Sequence, residues 1–228
     1  MKVSKGFMKK QVLAVLSAFV FIALNGGAQK ADAGRGVSKD YLILANFNNA
    51  IPDEYFDDLE LTEVSKGYQM EKEAAANMLL MLGAAKKAGL NPVIVSAFRT
   101  RAKQESLFFR QIDKQKKNGL TYYAEAYSAA RKVVARPGTS EHEMGLAADI
   151  VSASYTGLDS RQEKTKEAKW LFENCAEYGF ILRYPKNKTS VTEIIYEPWH
   201  YRYVGVEAAR AITEQGVCLE EYLENLKS

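Results

Sequence analysis

Only two histidines occur in the 228 residues of this chain, and carboxylates flank both. His142 stands in Ser140-Glu141-His142-Glu143-Met144-Gly145-Leu146-Ala147-Ala148-Asp149, and His200 closes Glu197-Pro198-Trp199-His200. A His-x6-Asp pair with a distant Glu-x-x-His offers two imidazoles and an aspartate, with one glutamate in excess. Three protein ligands with an open fourth position is the pattern of a catalytic zinc site, whereas structural sites close all four. The excess glutamate is what a hydrolase needs as general base toward a water acidified by the metal. Two unconnected histidines are the alternative that residue types alone leave open. Pro137-Gly138-Thr139 before the first segment, and Gly145, Ala147 and Ala148 inside it, favour a backbone that passes close to a metal or substrate.

Strands and loops must deliver these side chains, and the periodicity supplies both. Pro92–Ser96 reads as a buried strand running into Ala97-Phe98-Arg99-Thr100, followed by a helix with Leu107, Phe108 and Ile112 inside. A helix is predicted over 121–134, then a loop carrying His142, then a strand Leu146–Val151 carrying Asp149. Met70, Ala74, Met78, Met81, Leu82 and Ala85 recur at helical spacing up to Gly89, so the methionines read as core packing. Ser160-Arg161-Gln162-Glu163 has capping-box spacing and opens a helix through Trp170, Leu171 and Tyr178. Phe180–Tyr184 reads as a strand, Lys186–Lys188 as a turn and Thr192–Val204 as the returning strand. A two-residue period would set Glu197 and His200 on opposite faces, so an irregularity at Pro198 is expected to turn both toward one site. Tyr41–Leu44 reads as a short strand, 46–58 as irregular, and helices are expected near 207–214 and 219–226. The pattern is α+β.

The net charge of +3 is concentrated at the start. Residues 1–33 hold five lysines and one aspartate, so the remainder carries 26 basic and 27 acidic residues, a net of −1. No clustered basic face calls for a nucleic-acid partner. Lysines 2, 5, 9 and 10 precede an apolar run of 13 residues, Val12 to Leu24, shorter than the roughly 20 a spanning helix needs. Residues 1–33 are therefore read as a signal peptide or N-terminal membrane anchor and 34–228 as one domain. Cys175 and Cys218 suit either a single bridge in an exported protein or two buried thiols.

Ser140-x-His142-x-x-Gly145-x-Ala147-x-Asp149 with Glu197-Pro198-Trp199-His200 resembles the zinc D-alanyl-D-alanine carboxypeptidases of the VanY type, with the related L,D-carboxypeptidases and D,D-dipeptidases. The similarity runs from Tyr41-Leu42-Ile43-Leu44 through Ser96-Ala97-Phe98-Arg99 to Leu219-Glu220-Glu221-Tyr222-Leu223. The resemblance implies the fold of hedgehog domains and D,D-peptidases, a small, mostly antiparallel sheet carrying the metal with helices over its other face. It implies one Zn²⁺ per chain on His142, Asp149 and His200, Glu197 as acid–base group, and Arg99 toward an oxyanion or substrate carboxylate. Ser140, Gln104, Tyr184 and Trp199 would contact substrate, although buried core aromatics are an equal reading of the last two.

The implied partner is a peptidoglycan stem peptide, hydrolysed at its C-terminal D-alanine; the protein is expected to be a monomer, and any membrane attachment to run through the leader alone. The protein would be exported: extracellular, facing the cell wall or anchored outside a bacterial cytoplasmic membrane. An L,D-carboxypeptidase, an endopeptidase and a non-catalytic, zinc-stabilised wall-binding module are the alternatives. Asn187 and Glu193 depart from a Lys186–Ile194 hairpin where the family commonly has glycine, which bears on substrate preference.

Overall fold

In the computed structural model, residues 41–227 are described. The leader read over 1–33 lies outside them, and no helix within them is long and apolar enough to cross a membrane.

The site is built on a four-stranded antiparallel sheet of β3 (Pro92–Ser96), β4 (Ala147–Ser152), β5 (Phe180–Leu182) and β6 (His200–Tyr203), ordered β3-β4-β6-β5. Every residue of β4 and β6 is buried, so the two-residue period sorts side chains between a core face and a site face. Ala148, Ile150, Tyr201 and Tyr203 enter the main core with Met78, Met81, Met144 and Phe180. Asp149 and His200 point the other way, opposite each other in the β4–β6 register.

Helix α1 (Lys72–Lys87) packs its methionines into that core, as its period predicts. Glu71 caps it, accepting from the Glu73 and Ala74 amides. Helix α2 (Arg101–Lys117) starts at the Thr100 cap and packs Phe108 and Ile112 against α3 (Tyr123–Ala130). The remaining helices are α4 (Lys166–Asn174), α5 (Thr189–Thr192), α6 (Val206–Gln215) and α7 (Leu219–Asn225).

A two-stranded hairpin, β1 (Leu61–Ser65) with β2 (Tyr68–Glu71), precedes α1 and was not expected. It docks where Glu71 N–H donates to Gly145 O at 2.9 Å. A Cβ on Gly145 would lie 2.8 Å from that nitrogen, at a φ of +70°, so this approach requires glycine.

Met70 lies in β2 and not in the helix, and the expected Lys186–Ile194 hairpin is a 3-10 turn over Lys186–Lys188 followed by α5. Three further expectations need correction. Tyr41–Leu44 forms no strand, because Arg202 draws the Tyr41 and Ile43 carbonyls to its guanidinium in place of a ladder. The returning strand is His200–Tyr203 only. Upstream of it Glu193 turns left-handed at φ 58°, and the His200 amide bonds back to Glu197 O at 3.2 Å, closing a turn over Pro198. The expected irregularity is thus a full turn that leaves Glu197 outside the sheet. Ser160 is not a helix cap either. Asp159 caps a 3-10 turn over Ser160–Lys164, Thr165 caps α4, and Glu163 pairs with Lys186. Both cysteines are free and buried, and burial pushes the Cys175 thiol up to about 12.

Candidate metal centre and active site

His142 arrives on a tight loop whose amides bond three residues back, Glu143 to Ser140 O, Met144 to Glu141 O and Gly145 to His142 O. Glu143 pins the loop from beneath, accepting from the Gly138 amide and from Arg101 Nε. Opposite it, β4 and β6 place Asp149 and His200 side by side. One ligand atom from each of these three buried residues lies within 4.8 Å of the others.

Hydrogen bonds select which atom each residue offers. His142 Nδ1 donates to Ala97 O at 2.7 Å, leaving the Nε2 lone pair free. His200 Nε2 lies 3.2 Å from Glu141 Oε2, leaving Nδ1. Arg99 donates to Asp149 Oδ2 at 2.7 Å, leaving Oδ1. Outer partners of this kind fix tautomer and orientation at metal centres.

The separations of Asp149 Oδ1 from the two imidazole nitrogens suit zinc. Asp149 Oδ1 is buried without an aligned hydrogen bond, although His200 Nδ1 and His142 Nε2 stand 3.2 and 3.4 Å away. Ligands about 2.0–2.2 Å from a tetrahedral ion are themselves separated by about 3.3–3.6 Å. Two imidazoles and one carboxylate with a side open to a cavity make a zinc donor set of the catalytic kind.

Electrostatics separate the four groups at the centre. Burial and the neighbouring Arg99 cation bring His142 down to about 4. For His200 burial opposes the charge, but the carboxylates of Asp149 and Glu141 beside its two nitrogens carry it up to about 9. Burial would raise Asp149, yet the adjoining His142 and His200 rings and the Arg99 cation hold it well below the usual carboxylate range. Glu197 stands outside the ligand cluster, with Oε2 3.8 Å from His200 Nδ1. Burial lifts its carboxyl to about 8 in the metal-free protein.

A cavity of about 300 Å³ opens on this centre, lined by all nine residues singled out in the sequence. Their engagement differs. Arg99 spends Nε on Ser96 Oγ and shares NH1 with Gln104 Oε1, beside its bond to Asp149. Gln104 is fully buried, its amide donating to Ala135 O. Tyr184 stacks near the His200 ring at 4.8 Å and Trp199 is buried beside it. Ser140 keeps its hydroxyl without a side-chain bond among the described residues.

The sequence reading missed what lies behind the ligands. Arg183 and Arg202, both fully buried, ion-pair with Glu141 at 2.6 and 2.9 Å. Arg202 NH1 is close enough for charge pairing but off the line of a hydrogen bond. Arginines within Phe180-Ile181-Leu182-Arg183-Tyr184 and His200-Tyr201-Arg202-Tyr203 were the available signal, since an unpaired charge does not persist in a buried strand.

The VanY family model, described as D-alanyl-D-alanine carboxypeptidase, matches residues 67–206. A D-alanyl-D-alanine carboxypeptidase of Enterococcus faecalis is 42% identical over 186 residues, covering 82% of this chain and 66% of the relative. This chain therefore spans just under two thirds of that relative's length. Among solved structures, VanYB in complex with D-alanine-D-alanine superposes with a TM-score of 0.73 at 40% identity, covering 81% of this chain and 97% of the other. A VanY variant from a VanB-type resistance cassette, in complex with Zn(II), gives 0.72 at 42% identity over 80% and 98%. The LdcB LD-carboxypeptidase gives 0.67 at 37% identity over 82% and 86%. The chain belongs to the VanY family of D-alanyl-D-alanine carboxypeptidases.

Proposed function

We propose that this protein is a zinc carboxypeptidase releasing the C-terminal D-alanine from peptidoglycan stem peptides that end in D-Ala-D-Ala. The observation that carries the reading is Glu197, buried, facing the cavity and beside the ligand cluster without belonging to it. Zinc on His142, Asp149 and His200 would supply Lewis acidity, polarising the scissile carbonyl and lowering the pKa of water from about 15.7 toward about 7.

The chain's own residues divide the remaining tasks. Glu197 takes the proton of the attacking water and returns it to the departing amine nitrogen. Arg99 holds Asp149 in its liganding orientation and lends positive charge to the cavity, where an oxyanion or terminal carboxylate would settle. The Ser140 hydroxyl is available to the terminal D-residue, and Gln104 acts through Arg99. Tyr184 and Trp199 wall the cavity beside His200. Neither Glu141 nor Glu143 competes as the base, because Arg183, Arg202 and His200 hold the oxygens of the first and Arg101 and the Gly138 amide those of the second.

The likeness to VanYB in complex with D-alanine-D-alanine supports the D,D reading, and the likeness to LdcB keeps an L,D activity as the second. Incubating the zinc-loaded protein with defined tri-, tetra- and pentapeptide stems, then weighing the products, distinguishes them. Conversion of pentapeptide to tetrapeptide plus D-alanine is expected. Loss of D-alanine from the tetrapeptide alone would assign the L,D activity, and internal cleavage an endopeptidase. No product from any stem would leave the wall-binding module. The lysine-led apolar run in residues 1–33 supports export to the side of the membrane where these stems lie.

A further inference from the structure

We infer that Glu141 is the positioning residue of His200, a role that rests on the zinc reading above. Glu141 immediately precedes the ligand His142 yet serves the other histidine, its Oε2 taking the Nε2 side of His200 at 3.2 Å. Its Oε1 receives Arg183 Nε at 2.6 Å and lies 2.9 Å from Arg202 NH1. Each arginine is anchored elsewhere. Arg183 forks onto Glu220 of α7 at 2.8 and 2.7 Å, and Arg202 bonds to the carbonyls of Tyr41, Ile43 and Tyr203.

Two consequences follow for the metal. With Nε2–H given to Glu141, the ring must present Nδ1, the atom 3.2 Å from Asp149 Oδ1. With both oxygens turned toward Arg183, Arg202 and His200, Glu141 lines the cavity without becoming a fourth ligand, and the open position stays open. The brace couples α7 and the Tyr41–Ile43 segment to one coordination bond.

The test uses the full chain, with Glu141→Gln compared against Glu220→Gln, which disturbs the same cluster without touching His200. Zinc affinity is read by chelator competition at fixed pH, and nitrogen-15 spectra of the zinc-loaded wild type report which ring nitrogen of His200 carries the proton. Only two histidines are present, so assignment is simple. Expected are a zinc affinity reduced about 10- to 100-fold in Glu141→Gln, less than about threefold in Glu220→Gln, and a protonated Nε2 on His200. Equal affinities in the two variants, or zinc on Nε2, would overturn the inference. Should Glu141→Gln fail to fold, the wild-type spectrum decides alone. A wild type that binds no zinc would instead overturn the underlying reading.

Discussion

Asp149 and His200 stand opposite each other in the β4–β6 register, with Asp149 Oδ1 3.2 Å from His200 Nδ1. A strand pairing thus sets the distance between two ligands before any metal arrives. The third ligand, His142, is brought in by a loop whose end is held at Gly145. Preorganisation of this kind places the binding cost in the fold and leaves the centre poised.

Removing either imidazole is expected to abolish stoichiometric zinc. His142→Ala and His200→Ala should each purify folded with well under one zinc per chain by metal analysis, against one for the wild type. Full occupancy in either variant would dismiss that histidine as a ligand.

Zinc binding should release protons, and the sign follows from the shifts. In the metal-free protein His200 is raised from 6.5 to about 9, so the fold favours its imidazolium. That contribution to stability is complete below pH 6.5 and lost as pH rises through about 9. His142, lowered to about 4, is already neutral at pH 7, and its contribution is lost only as pH falls below 6.5 toward 4. Zinc must expel the His200 proton, so affinity should rise about tenfold per pH unit below about 9 and then flatten. Glu197, lifted to about 8, adds a second proton in part. Calorimetry in buffers of different ionisation enthalpy should count between one and two protons at pH 7. A count of zero would contradict the assignment.

Arg99 acts on zinc before it acts on substrate. Its NH2 holds the Asp149 oxygen that does not face the metal, so Arg99→Ala should weaken zinc about tenfold or more. Saturating zinc should then recover occupancy but not full turnover, since the cavity has lost its cation. Unchanged zinc affinity would confine Arg99 to the substrate.

Glu193 is the non-glycine residue with a positive φ among those described, and Arg131 holds its carboxylate at 2.8 Å. The left-handed backbone costs a side chain about 1–2 kcal/mol, and a partly exposed pair returns at most about 1 kcal/mol. Glu193→Ala keeps the strain and loses the pair, whereas Glu193→Gly loses both. Denaturant unfolding should therefore find the glycine variant more stable than the alanine variant by about 1 kcal/mol. The reverse order would mean that the left-handed turn is unstrained.

The ligands were legible because histidine is so scarce here and carboxylates sit close by. The α1 face was legible because Ala74 to Ala85 repeats at helical spacing and lies inside the core, whereas Met70, read as its first position, is a β2 residue. The Tyr41–Leu44 run looks locally like any apolar strand, and only the distant Arg202 guanidinium denies it a ladder. The β1–β2 hairpin is short and half exposed, with Glu63 and Gln69 outward, so its alternation was too weak to register. Glu141 is legible only as a carboxylate next to His142, since its three partners come from residues 183, 200 and 202. Which carboxylate backs which imidazole is a property of packing, and chain adjacency points to the wrong histidine.

The most direct measurement is the turnover and zinc content of Glu197→Gln on a pentapeptide stem. The amide is nearly isosteric and leaves His142, Asp149 and His200 in place. Zinc should stay at one per chain and substrate should still bind, while turnover falls about 10²–10⁴-fold, the usual worth of a positioned acid–base group. Turnover within a few-fold of wild type, or loss of zinc from the variant, would contradict Glu197 as the group that moves the proton.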